Sequence, residues 1–318
     1  MPVAWSLHPL AWVVTLAAVA GYAWALRRLG PTHAPGTVSA PADRAAPPAP
    51  LPLADQPSDQ YRHGPGSQMA TRGQLWAFAG GVIALWVALS WPLADLSRNT
   101  SAIAHVTQQV LLVLAVPPLV LLGLPRWLLA LGTRSPRAES AIRAISHPAA
   151  AIIVFNAALV AAWLPPVVAA EARWMAVGDA VHLLELVAGF VMWIPATRLV
   201  PGTRPLSAAA RIGYLFAQSV VFNFPALILI FAPHPLYAVY AAHVHSALGI
   251  GPRADQQIAG AVAKVIGFGV LIGTVAVILN RGWRAEEAGL DPDPLVWDDV
   301  ERELRRLERR SNGTTDAG

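Results

Sequence analysis

Seven long apolar runs dominate the pattern of hydrophobic and polar positions in this chain, and short polar loops separate most of them. The runs lie near residues 3–26, 74–92, 105–123, 148–166, 181–198, 211–232 and 255–280. Each is long enough to cross a hydrocarbon core of about 30 Å as a helix of roughly 17–25 residues. The pattern therefore predicts an all-α fold, a polytopic membrane bundle of seven transmembrane helices.

The polar stretches divide the chain into four parts. Residues 1–29 hold the first transmembrane helix, and residues 73–285 hold a six-helix membrane core. Between them, residues 30–72 are rich in Pro and Ala, and such a segment cannot bury enough apolar surface to offset the entropy of ordering. We therefore predict a disordered cytoplasmic linker there, and a charged cytoplasmic tail over residues 286–318.

Arginine and histidine fall on opposite sides of the predicted membrane. The arginines follow the first, third, fifth and seventh runs: Arg27, Arg28, Arg126, Arg134, Arg137, Arg143, Arg198, Arg204, Arg211, Arg281 and Arg284. Loops rich in positive residues stay in the cytoplasm, so four loops agree on an N-terminus outside and a C-terminus inside. The opposite face carries His8, His105, His182, His234, His243 and His245.

Composition supports this class and narrows the possible chemistry. The 318-residue chain has 55% hydrophobic and 13% charged residues and a mean hydropathy of +0.48, too apolar for an ordinary soluble domain. Its formal charge of +4 is carried by arginines in loops beside the spans, so we expect contact with lipid and none with nucleic acid. Because cysteine is absent, a metal would need imidazole, carboxylate, thioether or amide ligands.

Two polar groups stand where apolar runs begin, and both have two interpretations. His105 and Gln109 are four residues apart on one helix face. Asp179, His182 and Glu185 recur every three residues and carry a carboxylate about one turn into the membrane. Imidazole and carboxylate ligands suit copper or zinc, so these residues are candidates for a metal site. The alternative for His105 and Gln109 is a polar pair at a helix end that hydrogen-bonds to a neighbouring loop. For the other three residues it is a hydrogen-bonded network between helices.

The loop before the seventh run adds three further candidates. His243 and His245 can point to one side only in extended backbone, and this short pattern is also common on surfaces. Asp255 stands where the seventh helix begins, so it could cap that helix or face a metal.

Lys264 is the only lysine in the chain, nine residues after Asp255 and about 14 Å further along the helix. An ionisable group at that depth is a functional candidate, and a carboxylate such as Glu185 would be a suitable partner. This pair predicts an alternative function, a small-ion or metal transporter. A retinal protein is less well supported, because the third run holds no carboxylate to act as a counter-ion.

Several short segments occur in an order that resembles the CtaG-like family of cytochrome c oxidase assembly factors. They cover residues 72–78, Gly81, and residues 91–95, 105–112, 117–125, 163–165, 182–193, 236–240 and 255–260. The chain departs from the family where histidine is typical, at Gln109, Leu164 and Leu186, and it has Lys264 where an aromatic residue is usual.

The resemblance implies a non-enzymatic protein of the bacterial cytoplasmic membrane that supports maturation of a haem-copper oxidase. Copper would be its metal, and oxidase subunits or a copper chaperone its protein partners. The residues expected to face the metal or the partner are His105, His182 and Glu185, together with Asp255, His243 and His245.

Overall fold

The computed structural model describes residues 8–29, 70–203, 206–242 and 249–289, together with Leu304. Every regular element in these ranges is a helix. In chain order they are α1 (Pro9–Arg28), α2 (Arg72–Leu89), α3 (Leu93–Asn99), α4 (Ala102–Val110), a π-helical segment (Leu111–Ala115), α5 (Val116–Gly123), α6 (Arg126–Gly132), α7 (Pro136–Ile145), α8 (Pro148–Ala162), α9 (Pro165–Arg173), α10 (Met175–Thr197), α11 (Ala208–Phe231), α12 (Ala238–Ala241) and α13 (Pro252–Glu287). The all-α prediction is thus confirmed for the described part of the chain.

Five helical runs in the described ranges are long and apolar enough to cross a membrane. They are α2, the continuous run over residues 102–123, α10, α11 and α13. A sixth is possible if α7 and α8, which meet at 75°, count as one broken span. The first predicted span corresponds to α1, which is helical but is not among these five. The count of seven spans and the orientation of the termini therefore stay predictions.

Helix boundaries follow local chemistry. Thr71 and Gln74 form a reciprocal capping box, so α2 begins at Arg72, inside the stretch predicted as linker. The fourth predicted span, residues 148–166, ends early. α8 stops at Ala162, and Pro165 starts α9, because proline fits the first turn of a helix but not its interior. The rest of the predicted linker, residues 30–69, lies outside the described residues.

The π-helical segment ends just before the two consecutive prolines, Pro117 and Pro118. Pro117 has no N–H to donate to the carbonyl of Val113, one turn earlier. The indole of Trp193 on α10 donates to that carbonyl instead, at 3.0 Å. Gly189, one turn before Trp193, allows this approach, because a Cβ there would lie 2.8 Å from the ring of Pro117. A neighbouring helix thus supplies the hydrogen bond that proline removed.

The last helix, α13, packs against α11 and against the start of α4. α13 packs closely on α11, where a Cβ on Gly260 would lie 2.6 Å from the carbonyl oxygen of Ala226. Its first turn contacts the start of α4. The side chain of Gln256 also ties the chain after α11 to α13, because it accepts from Leu236 N–H at 2.6 Å and donates to Leu229 carbonyl at 3.2 Å. These contacts fix the helix ends that surround the candidate site.

Candidate functional site

A cavity of about 110 Å³ with several ionisable side chains in its lining lies at the end of the bundle where α4 and α10 begin. We call it the polar cavity. Its ionisable lining residues come from six segments of the chain: His8, Arg98, His105, Glu171, Asp179, His182 and Tyr240. Sequence separation between them is large, so only the fold brings them together.

His105 lines the cavity, and Gln109 lies one turn further along α4 and contacts it, as their spacing predicts. Gln109 Nε2 lies 3.1 Å from His105 Nε2, so the amide donates to the imidazole. Both residues are buried, with 3% of His105 exposed. Two tyrosines of the loop after α11 flank the imidazole: the ring centroids of Tyr237 and Tyr240 lie 6.4 and 6.1 Å from that of His105. Gln109 stands where the family typically has histidine. It therefore hydrogen-bonds to His105 and does not supply a second imidazole.

The tyrosines are held in place by backbone hydrogen bonds. Tyr237 donates its hydroxyl to the carbonyl of Trp163 at 3.1 Å, and Tyr240 donates to the carbonyl of Ser97 at 2.5 Å. Burial raises the pKa of both phenols, and the nearby carboxyl of Glu171 raises each pKa further. Each phenol therefore keeps its proton and acts as a donor, and the two hydrogen bonds hold this segment against α3 and the end of α8.

His182 faces the cavity from α10, and Glu185 lies deeper on the same helix. His182 is an electrostatic neighbour of both His105 and Arg98. Glu185 is 1% exposed and does not line the cavity. Neither of its carboxyl oxygens has a hydrogen-bond partner within normal distance and angle. The side chain of Gln109 is a polar group that interacts with it. Asp179 lines the cavity on the same helix.

Asp255 has a structural task that the sequence did not predict. Its carboxylate caps α4 instead of its own helix: it accepts from the hydroxyl of Ser101 at 2.7 Å and from the N–H of Ala102 at 2.5 Å. Both oxygens are used in this way, so Asp255 holds two helices together beside the cavity. The other candidates of this loop, His243 and His245, lie outside the described residues.

The expected pairing of Lys264 with Glu185 is not found. Lys264 is exposed on the surface of α13, whereas Glu185 is buried between helices on α10. In the described part of the chain no ion pair joins them. The alternative function, a small-ion or metal transporter, therefore loses the ion pair from which it was predicted.

Sequence reasoning missed Glu171 and Arg98. Glu171 lies in α9, which the pattern placed in a loop, and only 7% of the residue is exposed. Its Oε1 has no hydrogen-bond partner. Burial raises the pKa of Glu171 to about 8, although the positive charge of Arg98 lowers that pKa. The carboxyl is thus largely protonated at neutral pH. A lone Glu between two predicted spans gave no signal of this burial.

The donor types around the cavity suit copper or zinc, but the arrangement is not a finished metal site. Three imidazoles and a carboxyl oxygen without a hydrogen-bond partner line or adjoin one space, and imidazole is a preferred ligand of both metals. Among the described residues, however, no three His, Asp or Glu side chains are placed to hold one ion. A metal would be held here by fewer of these side chains, or with ligands from elsewhere.

The all-helical fold and its five helical runs that are long and apolar enough to cross a membrane are consistent with a membrane protein, and a cavity lined by ionisable side chains lies at one end of the described helices. Residues 59–286, more than half of the chain, match the sequence profile of the cytochrome c oxidase caa3 assembly factor family, Caa3_CtaG. The chain belongs to this family. No curated protein and no solved structure matches it. The resemblance seen in the sequence is thereby confirmed at the level of the family.

Proposed function

We propose that this protein is a non-enzymatic assembly factor that supports maturation of a haem-copper oxidase in the bacterial cytoplasmic membrane. The family match over residues 59–286 carries the proposal. The helices able to cross a membrane are consistent with work beside a membrane-bound oxidase. Oxidase subunits or a copper chaperone are the partners we expect.

The polar cavity is the part of the molecule that we assign to copper. His105 and His182 supply imidazole nitrogens on two helices, and the two tyrosines flank His105. Copper bound at Nε2 of His105 would take the place of the amide of Gln109, which donates to that nitrogen. Copper bound there would be a cargo for the oxidase. The residues of this chain bind it, shield it from water and release it, and none of them needs to act as a catalyst.

Deletion of the gene, followed by complementation, tests the function. Loss of cytochrome c oxidase activity, restored in part by added copper, is the expected result. His105→Ala and His182→Ala should restore less activity than the wild-type gene, whereas His147→Ala should restore it fully, since His147 is exposed and outside the cavity lining. Unchanged oxidase activity in the deletion strain, with and without copper, would remove the assembly proposal.

A further inference from the structure

The end of the first helix meets the start of the second helix and the end of α5. The hydroxyl of Tyr22 on α1 donates to the carbonyl of Gly123 at 2.9 Å, and its ring stacks on that of Phe78 on α2 with centroids 3.9 Å apart. Nearer the other end of both helices, Trp12 meets Trp86 edge to face at 5.7 Å. α1 and α2 are therefore antiparallel neighbours, and the end of the pair that holds the stacked rings lies opposite the polar cavity, which α2 lines with its last residue.

Four exposed arginines lie at this end of the bundle. Arg28 comes six residues after Tyr22, and Arg72 comes six residues before Phe78, so each is about 9 Å beyond the stacked rings at a rise of about 1.5 Å per residue. α6 begins with Arg126, just past the end of α5. We call these side chains the arginine cluster: Arg27, Arg28, Arg72 and Arg126.

No negative side chain balances the arginine cluster within the described residues of these helices. α1, α2, α5 and α6 contain neither Asp nor Glu. None of the four guanidinium groups has a hydrogen bond or an ion pair with another described residue. Several positive charges in one place raise the local potential and favour an anionic ligand.

The surface that leads from the arginine cluster toward the middle of the bundle is apolar and exposed. Trp24 and Trp76 stand just inside the cluster, with 59% and 78% of their surface exposed. Further along the same two helices, Leu16, Val19 and Ile83 are also exposed. Indole rings are typical of the headgroup level of a membrane, and aliphatic side chains face the acyl chains. The order of arginine, tryptophan and aliphatic side chains thus matches a lipid molecule from head to tail.

We propose that the arginine cluster binds the headgroup of an anionic phospholipid. Guanidinium groups bind phosphate oxygens through paired, charge-assisted hydrogen bonds, and the acyl chains lie along the exposed apolar surface of α1 and α2. The arrangement of arginines predicts cytoplasm at this end, and the cytoplasmic leaflet is the one that anionic lipids make negative. A soluble anion would use the arginines and leave the tryptophans and the aliphatic surface without a partner. The site combines two arginines of α1, outside the segment that matches the family, with two inside it.

Titration of the purified full-length protein with phosphatidylglycerol in a neutral detergent, followed by native mass spectrometry, tests this proposal. The wild type should bind phosphatidylglycerol in preference to phosphatidylcholine with the same acyl chains, which has no net charge. The double variant Arg27→Gln, Arg72→Gln should bind phosphatidylglycerol at least about fivefold more weakly, since one basic side chain near an anionic lipid contributes about that factor. Its melting temperature should stay near that of the wild type, because both side chains are exposed.

The matched control removes the same charge from the same end of the bundle. α13 begins beside the start of α4, at the cavity, so its last turns lie at the opposite end. Arg281 and Arg284 are exposed there. The double variant Arg281→Gln, Arg284→Gln should therefore bind phosphatidylglycerol as the wild type does.

Three results would overturn the inference. Equal weakening by the two double variants would mean that the lipid responds to the total charge of this end and not to the arginine cluster. Release of bound phosphatidylglycerol by an excess of inorganic phosphate would mean that the cluster holds an anion without its acyl chains. No preference for phosphatidylglycerol in the wild type would remove the lipid site, and a preference gained when Asp43, Asp55 and Asp59 are replaced by Asn would assign the cluster to acids of the chain itself.

Discussion

The Asp255 carboxylate accepts a hydrogen bond from the hydroxyl of Ser101 at 2.7 Å, across 154 positions of sequence. The same carboxylate accepts from Ala102 N–H, so the first turn of α13 caps the first turn of α4. A helix start leaves N–H groups without intrahelical partners, and an acidic side chain there satisfies them and favours the helix dipole. One side chain thus fixes the wall of the cavity that carries His105.

Removal of this cap should destabilise the whole core. We expect Asp255→Ala to lower the free energy of unfolding by about 2 kcal/mol, because it removes a cap and leaves a buried N–H without a partner. Asp255→Asn keeps one acceptor oxygen and should cost less. Thermal unfolding in detergent measures both, with the exposed Glu286→Ala as the matched acid control on the same helix. Equal stability of Asp255→Ala and Glu286→Ala would mean that the cap contributes nothing.

The indole of Trp193 should matter for its hydrogen bond as well as its volume. Trp193→Phe leaves the Val113 carbonyl, which Pro117 cannot pair, without a donor, so we expect a loss of about 1–3 kcal/mol of stability. Trp163→Phe is a close control, because Trp163 is also buried but its Nε1 has no partner. Chemical denaturation of the two variants should therefore separate them, with Trp193→Phe the less stable. The reverse order would contradict the role given to the indole.

The sequence predicted the helical class and the candidate residues at helix starts, because long apolar runs and the i, i+4 spacing of His105 and Gln109 depend only on local periodicity. It did not predict that Asp255 would cap α4, since that contact joins distant parts of the chain. Glu171 was missed for a similar reason. Its burial depends on the helices that pack around α9, and the residues next to it in the sequence do not indicate that packing. The pairing of Lys264 with Glu185 failed because depth along a helix does not fix the direction of a side chain.

The predicted orientation can be tested directly, because the chain contains no cysteine. Arg134 and His234 are both exposed, and the arrangement of arginines places them on opposite sides of the membrane. A membrane-impermeant thiol reagent added to intact spheroplasts should label His234→Cys and not Arg134→Cys. Both should be labelled after the membrane is permeabilised. Labelling of Arg134→Cys in intact spheroplasts would reverse the topology.

Lys264 should be dispensable for folding. The residue is exposed within the largely apolar stretch 258–279 of α13, and no carboxylate partner is placed beside it in the described ranges. We expect Lys264→Met to leave the melting temperature unchanged or raise it, since a charged side chain within an apolar span is costly. A partner of Glu185 would behave differently, because its removal would leave a buried charge unpaired at a cost of about 3–5 kcal/mol. A large loss of stability in Lys264→Met would therefore restore the ion-pair hypothesis.

Glu171 should give the protein a pH-dependent stability. Burial raises the pKa of this carboxyl from 4.5 to about 8 in the folded state, so the folded protein holds a proton that the unfolded chain releases above pH 4.5. The resulting stabilisation is complete below pH 4.5 and is lost as pH rises toward about 8. We expect the melting temperature of the wild type to fall over this interval, and Glu171→Gln, which cannot ionise, to fall less.

The comparison between the two proteins isolates Glu171 from its neighbours. The other side chains that line the cavity are the same in both proteins. Their effects largely cancel in the difference, so Glu171→Gln should be the more stable protein at pH 8, and the advantage should shrink as pH falls toward 5. The exposed Glu287→Gln, measured in parallel, should follow the wild type. A constant difference between Glu171→Gln and the wild type from pH 5 to 8 would show that Glu171 is not a buried protonated carboxyl.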